Sequence, residues 1–271
     1  MAKQLKVVFF GDIVGRPGRR GVASIIPKIK EEFRPDLIIA NVENSAHGKG
    51  VTDSTLADMV KAGVDVFTSG EHIHDKVRED AEVAAIFEKY PTLIKPANYS
   101  RDLPGRSELV IETLKGKVLV LNLVGQVFFR FSEFSPWTVL PQILERYEGE
   151  KLSAIILDFH AEATSEKVAL GRHFDGQLSA VLGTHTHIPT ADATILPKGT
   201  GYVTDVGMNG PYDSVLGMKS EVSINRFLTG EKLTYEIAET PEIWLNYVML
   251  TIDIETKKTL SIQHEHEIIK L

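Results

Sequence analysis

The chain has 271 residues, 43% of them hydrophobic and 25% charged, with a formal charge of −7 and no cysteine. That composition is ordinary for a folded protein. It excludes disulfides, thiolate ligands and a cysteine nucleophile, and it argues against a generic basic surface for nucleic acid. The apolar stretch 7–10 is too short for a signal segment and Asp12 follows at once; no run approaches the length that crosses a bilayer, so a cytoplasmic protein with no membrane partner is expected.

In chain order, a strand over 5–10 leads into a glycine-rich loop, where Pro17 is placed to open a helix running towards Phe33. Arg34-Pro35-Asp36 breaks that helix before a second strand over 37–40. Thr52 or Asp53 caps a helix through Ala62, and Gly63 ends it before a third strand over 64–67. An amphipathic helix over 75–88 completes a βα series that favours parallel strands with ligands at their carboxyl ends. Segments 108–114 and 117–124 flank Lys115-Gly116 as a hairpin. The aromatic-rich stretch 127–137, with Phe128, Phe129, Phe131, Phe134 and Trp137, reads as a loop packed over a core edge. A helix over 141–147 and strands over 155–157 and 178–182 follow. Residues 203–211 are too rich in turn formers to be an element. Segments 247–254 and 259–268 read as a terminal hairpin around Thr256-Lys257-Lys258. One domain over 1–271 with two sheets, carrying a small excursion over 210–244, is the simplest architecture.

Five of these apolar runs end alike. Residues 7–10 run into Gly11-Asp12, 37–40 into Asn41-Val42-Glu43-Asn44, 64–67 into Ser69-Gly70-Glu71-His72, 155–157 into Asp158-Phe159-His160, and 178–182 into Gly183-Thr184-His185-Thr186-His187-Ile188-Pro189. Residues two apart on a strand share a face, so His185 and His187 project side by side if the extended conformation persists past Gly183. Two imidazoles so placed can serve one metal ion or two adjacent ions. A carboxylate directly after the apolar 37–40 run must be paired, protonated or metal-bound if buried, which singles out Glu43. Other histidines rank lower: His264 and His266 alternate with glutamates on what reads as one solvated face, His173 closes a polar helix, and His47 sits in a glycine-bearing turn that could line the site. Gly11, Gly15 and Gly18 match neither a Walker loop nor the dinucleotide fingerprint, and Arg16, Arg19 and Arg20 read as a solvated helix start.

The ordered set resembles the calcineurin-like metallophosphoesterases, and within them the YmdB-type bacterial branch. The resemblance rests on Gly11-Asp12-Ile13-Val14-Gly15, Asn41-Val42-Glu43-Asn44, Asp158-Phe159-His160-Ala161-Glu162, Thr164-Ser165-Glu166-Lys167, Gly183 to Pro189, and Thr204-Asp205-Val206-Gly207-Met208. It implies two mixed β-sheets packed face to face as a sandwich flanked by helices, with a two-metal site. Carried over by motif, Asp12, Glu43, Asn44 and His187 hold one ion; Glu43, Glu71, His160 and His185 hold the other, with Glu43 bridging. The implied metals are iron or manganese, zinc being compatible with the same ligands. The implied activity is phosphodiester hydrolysis, including that of 2′,3′-cyclic nucleotides, by attack of a hydroxide bridging the two ions. His72 serves as the non-ligand histidine beside the scissile phosphate. Implied partners are small phosphodiesters or cyclic nucleotides, RNA ends, and further copies of the chain.

Two positions depart from the superfamily pattern. Val14 stands where the first motif usually has histidine, as is usual in the branch, and Gly70-Glu71-His72 replaces the usual Gly-Asn-His. Asp12, Glu43 and Glu71 bring about −3 against about +4 from two divalent ions, so the centre is less positive than with asparagine at 71. His74 also stands where the branch often has an aromatic residue. The rival reading from another class is a metal-binding regulatory protein whose catalysis Glu71 has weakened. A metal-dependent amidohydrolase ranks behind both, because its His-x-His comes early in the chain.

Overall fold

The apolar run that opens the chain divides its side chains between two cores. In the computed structural model, which describes residues 3–75, 80–100, 103–129 and 133–271, strand β1 (Gln4–Phe10) turns Leu5, Val7 and Phe9 into one buried cluster and Val8 and Phe10 into another. Strand side chains alternate faces, so the consecutive apolar residues 7–10 must be covered on both sides. Strand β2 (Leu37–Asn41) divides likewise, with Leu37 and Ile39 in the first cluster and Ile38 and Ala40 in the second.

Strands β1, β2 and β3 (Val66–Thr68) run parallel. The middle of the chain supplies a second sheet: β4 (Glu108–Thr113), β5 (Gly116–Val124), β6 (Leu152–His160), β7 (Ala180–Thr184), β8 (Thr194–Ile195) and β9 (Gly201–Val203), in the order β4-β5-β6-β7-β9-β8. Strands β5, β6, β7 and β9 are parallel, with antiparallel β4 and β8 at the edges. The chain then returns to the first sheet through β10 (Gly210–Pro211), β11 (Glu242–Asp253) and β12 (Thr259–Lys270). Strand β11 pairs antiparallel with β1. Ile243 pairs with Pro211 and also with Ile269, so β10 and β12 lie on opposite edges of β11.

The cluster holding Val7 and Ile39 also holds Val120 of β5, Ile156 of β6 and Leu182 of β7; it is the core between two sheets packed face to face. Outside the first sheet lie α1 (Gly15–Glu32), α2 (Asp53–Ala62) and α3 (Asp80–Lys89), which contribute Ile25, Leu56 and Phe87 to the outer cluster. Outside the second lie α4 (Pro136–Arg146) and α5 (Thr164–His173), which bury Leu140, Ile143 and Leu170 against Leu121, Leu157 and Val181. Helix α6 (Ser220–Thr229) falls within segment 210–244. No helix among the described residues is long and apolar enough to cross a membrane. The sandwich of two mixed sheets flanked by helices is the fold expected from the resemblance.

Several boundaries differ from the sequence expectation. Helix α4 starts at Pro136 rather than 141, because the Ser135 hydroxyl accepts the Trp137 N–H and Pro136 takes the first helical position. Helix α1 starts at Gly15, two residues before Pro17. Thr52 and Gly63 do cap α2, the latter at φ +97°. The helix expected over 75–88 begins at Asp80; its residues 76–79, like Phe131, lie outside the described residues. The ends of 203–211 pair after all, in β9 and β10, because their backbones meet β7 and β11.

Of the two histidines expected on one solvated face, His266 is exposed but His264 is not. Both share the parity of Ile262, which packs against the inter-sheet core. His264 is half-buried, with Nε2 2.9 Å from the Val206 carbonyl, and burial, with His266 nearby, holds its pKa below the ordinary imidazole value. An imidazole kept neutral in the fold takes up its proton more readily when unfolded, so stability should fall as pH drops below about 6.5 towards the lower folded pKa. Urea midpoints at pH 7.5 and 5.0 should therefore differ less for His264→Gln than for the wild type; equal differences would remove this group as a source of acid sensitivity.

Candidate metal centre

On the inner faces of the parallel strands, apolar residues give way to polar ones at the carboxyl ends. After Leu37 and Ile39 comes Asn41; after Val66, Thr68; after Val118 and Val120, Asn122; after Ala154 and Ile156, Asp158 and His160; after Ala180 and Leu182, Thr184. All six polar residues are buried. Asp158 is their hub. Its Oδ2 accepts from the Thr68 hydroxyl at 2.5 Å and the Asn41 amide at 2.9 Å, and its Oδ1 accepts from the Thr184 hydroxyl at 2.6 Å. Burial pushes the Asp158 carboxyl up to about 7, against the His160 charge and the Thr184 and Thr68 hydroxyls.

That hub sets the tautomer of His160. Thr184 gives its one proton to Asp158, so its oxygen accepts from His160 Nδ1 at 2.9 Å, and Nε2 is the nitrogen left to face the cluster. Around Nε2 lie Glu71 Oε2 at 2.7 Å, Glu43 Oε1 at 3.0 Å and His185 Nδ1 at 3.1 Å. His185 is turned the other way round: its Nε2 lies 3.0 Å from Glu162 Oε2, which leaves Nδ1 facing the cluster. Glu43, Glu71, His160 and His185 each offer an atom within 4.8 Å of the others. Burial opposes charge on His160, but Glu43 and Glu71 outweigh it and hold its pKa well above the ordinary value. Burial likewise opposes charge on Glu71, yet His160 and His185 hold its carboxyl far below the usual range.

A second group sits beside the first. His187 Nδ1 lies 3.1 Å from the Leu216 carbonyl, so its N–H is directed there and Nε2 faces Asn44 Oδ1 at 3.3 Å. The Asn44 amide nitrogen donates to the Gly48 carbonyl at 3.0 Å, which fixes that oxygen towards the histidine. Asp12 spans the two groups. Its Oδ2 accepts the His185 N–H at 3.0 Å, while Oδ1, buried and without a hydrogen-bond partner, lies 3.8 Å from His160 and 4.0 Å from His187. An orphaned buried carboxylate oxygen is costly unless a cation satisfies it. The donor set is nitrogen and oxygen throughout, so these residues fit divalent ions.

Backbone geometry makes the convergence possible. A Cβ on Gly70 would fall 2.2 Å from Glu43 Oε2 and 2.5 Å from His160 Nε2, so only glycine lets the β3 end approach the cluster. The extended continuation expected after Gly183 stops at Thr184. His185 and His187 adopt φ +102° and +66°, so they leave the strand end in a strained loop and reach different partners. That loop is pinned by Asp205, whose carboxylate accepts the Thr186 N–H at 3.0 Å and the Gly207 N–H at 2.9 Å. Lys167 Nζ donates to Asp205 and to the Thr184 carbonyl, both at 2.7 Å, and neither charged side chain is more than 1% exposed.

The remaining sequence candidates separate. His72 stands at the rim: its N–H donates to Glu43 Oε2 at 3.1 Å, Nδ1 lies 2.9 Å from Asp75 Oδ2, and Nε2 is 3.6 Å from Glu71 Oε1. His74 packs against the rings of Phe87 and Tyr99 instead of joining the cluster. His47 is an exposed turn residue at φ +54°, and His173 packs on Trp137 and Phe174. The loop reading of 127–137 misses Phe129, whose ring centroid lies 4.9 Å from that of His185. Sequence reasoning also passed over Thr184 as a support, Glu162 as the partner of His185, and Asp75. The parity of Thr184 with Ala180 and Leu182 could have found the first; no periodic signal marks the others.

A face-to-face sandwich with carboxylates and imidazoles gathered at its strand ends is the architecture of the calcineurin-like metallophosphoesterases. The chain belongs to the YmdB-like protein family, whose model matches residues 8–264. It is 40% identical over 259 residues to the 2′,3′-cyclic-nucleotide 2′-phosphodiesterase of Bacillus subtilis, covering 96% of each chain. Its fold superposes on the crystal structure of a novel phosphatase from Mycoplasma pneumoniae with a TM-score of 0.90 at 34% identity, covering 100% of this chain and 95% of that one. A hypothetical protein from Thermus thermophilus gives 0.88 at 38% identity, covering 97% and 99%.

Partners that tie off a ligand's second nitrogen typically change metal affinity by about 10–100-fold when removed. Thr184→Val, which keeps the shape but loses the hydroxyl, should weaken metal binding by about that factor in equilibrium dialysis. Unchanged affinity would separate His160 from its Asp158 support.

Proposed function

We propose that the protein is a dinuclear metal-dependent phosphodiesterase acting on 2′,3′-cyclic nucleotides and related phosphodiesters. The observation that carries this reading is the convergence of carboxylate, amide and imidazole ligand atoms, with each imidazole's other nitrogen held by a separate partner. Asp12, Glu43, Asn44 and His187 would hold one divalent ion, and Glu43, Glu71, His160 and His185 the other, with Glu43 shared. Iron or manganese suits this set, and zinc is chemically compatible. When bound, such a pair supplies Lewis acidity that activates water and neutralises phosphate charge. The Bacillus subtilis relative's activity supports the cyclic-nucleotide substrate, and a cysteine-free chain suits a reducing cytosol.

The chain's own residues supply the rest. Asp75 accepts a hydrogen bond from His72 Nδ1 and orients the ring, so that Nε2 would be the nitrogen that gives a proton to the leaving oxygen. Asp12 and Asp205 hold the backbone N–H groups of His185 and Thr186 and keep the loop in place. Phe129 walls the His185 side of the site, and Phe128, next to it in the chain, is 84% exposed.

Hydrolysis of 2′,3′-cyclic AMP and bis(p-nitrophenyl) phosphate by iron- or manganese-loaded protein tests the assignment. His72→Ala should lower turnover by about 10²–10⁴-fold with metal content unchanged; simultaneous loss of metal would remove the role given to His72. Glu71 favours one second reading, because its carboxyl is held ionised inside the cluster and makes the centre less positive. Wild type inactive and Glu71→Asn active would identify a metal-binding regulatory protein instead.

A further inference from the structure

The arginine-rich helix start, read from sequence as a solvated face with one arginine meeting substrate phosphate as the lesser alternative, has a specific setting. Arg16, Arg19 and Arg20 of α1 face Lys61 of α2 across a groove of about 460 Å³. Its one acidic lining residue, Asp58, is taken by Arg19, whose Nε donates to Oδ2 at 3.1 Å. Arg19 also donates through Nη1 to the Ser45 carbonyl. Arg16, Arg20 and Lys61 are exposed and make no ion pair among the described residues. A chain of net charge −7 thus carries a local surplus of three positive charges in one groove.

That groove adjoins the candidate metal centre. Ser45 follows Asn44, and the N–H of Gly15, the residue before Arg16, donates to the Asn44 carbonyl at 2.9 Å. From Arg16 to Pro27, the first and last lining residues on the helix, α1 rises roughly 16 Å, about the length of five stacked nucleotides. The rest of the lining is aliphatic, and no aromatic ring among the described residues contributes to it. Cations without stacking rings meet a phosphate backbone and do not read bases.

We propose that the α1–α2 groove holds the backbone of an RNA strand whose 2′,3′-cyclic phosphate end occupies the metal centre, so that RNA ends are bound in preference to mononucleotides. This rests on the phosphodiesterase reading of that centre. A mononucleotide carries no further phosphate to reach Arg16, Arg20 or Lys61.

The test uses the metal-loaded full chain and a 5′-labelled octaribonucleotide ending in a 3′-phosphate, followed by fluorescence anisotropy. Three neutralised phosphates on a single strand give a slope of about −2 in log affinity against log salt, or about 20-fold weaker binding at 200 mM than at 50 mM. The Arg16→Gln, Arg20→Gln, Lys61→Gln protein should bind more than about tenfold more weakly at 50 mM, with a slope near zero. Arg16→Lys, Arg20→Lys should retain both affinity and slope. Hydrolysis of 2′,3′-cyclic AMP should be unchanged in both proteins, which also shows that they fold. Equal RNA affinity and slope in wild type and the glutamine protein, with that hydrolysis intact, would overturn the proposal alone. A lower oligomeric mass of the glutamine protein with undiminished RNA binding would overturn it in favour of an interface between copies. Absence of any phosphodiesterase activity in the wild type would instead overturn the reading beneath it.

Discussion

One buried carboxylate joins the fold to the site. Asp158 belongs to the second sheet, yet two of its donors, Asn41 and Thr68, belong to the first. An isolated carboxylate between two apolar sheets would cost several kcal/mol, and here it is satisfied only when the two sheets meet in register. Thr184 completes the set and passes the constraint to His160. The same packing that closes the sandwich therefore fixes which nitrogen of His160 faces the cluster.

The loop after β7 shows how local strain is held. Non-glycine residues at positive φ cost of order 1–3 kcal/mol each, and His185 and His187 are both in that region. Backbone bonds from Val206 to Gly183 and from Met208 to His187, at 2.8 and 3.0 Å, tie the loop to the segment after β9. The buried Lys167–Asp205 pair ties it to α5. Removing either charge would leave the other buried and uncompensated, a situation that typically costs about 3–5 kcal/mol. Positions that look remote from the chemistry are thus committed to it through the loop's backbone.

Charge is distributed unevenly over the molecule, and its placement bears on function. Three carboxylates, Asp12, Glu43 and Glu71, converge with three imidazoles at the strand ends. In the proposed metal centre, Glu71 would leave less positive charge for polarising phosphate than an amide, while strengthening the hold on cations. The basic groove on α1 and α2 lies beside that acidic pocket. The −7 total conceals this division, so net charge was a poor guide to what individual surfaces can bind.

The sequence by itself determined the strands whose alternation is buried on both faces, the caps of α2, and the candidate ligands, because these depend on residue type and short spacing. Asp12, Glu43, Asn44, Glu71, His160, His185 and His187 each follow an apolar run, and the family resemblance of those motifs singled them out as candidate ligands. Tertiary structure alone decided the pairing of β10 with β11 across a long intervening segment. It also decided that His185 and His187 leave the strand in left-handed conformations, that Phe129 reaches the site, and that Glu162, Thr184 and Leu216 each hold one imidazole. Residue type announces that an imidazole can bind a metal. Which of its nitrogens is free to do so depends on a partner brought near by the fold, and distance in space is not encoded by distance along the chain.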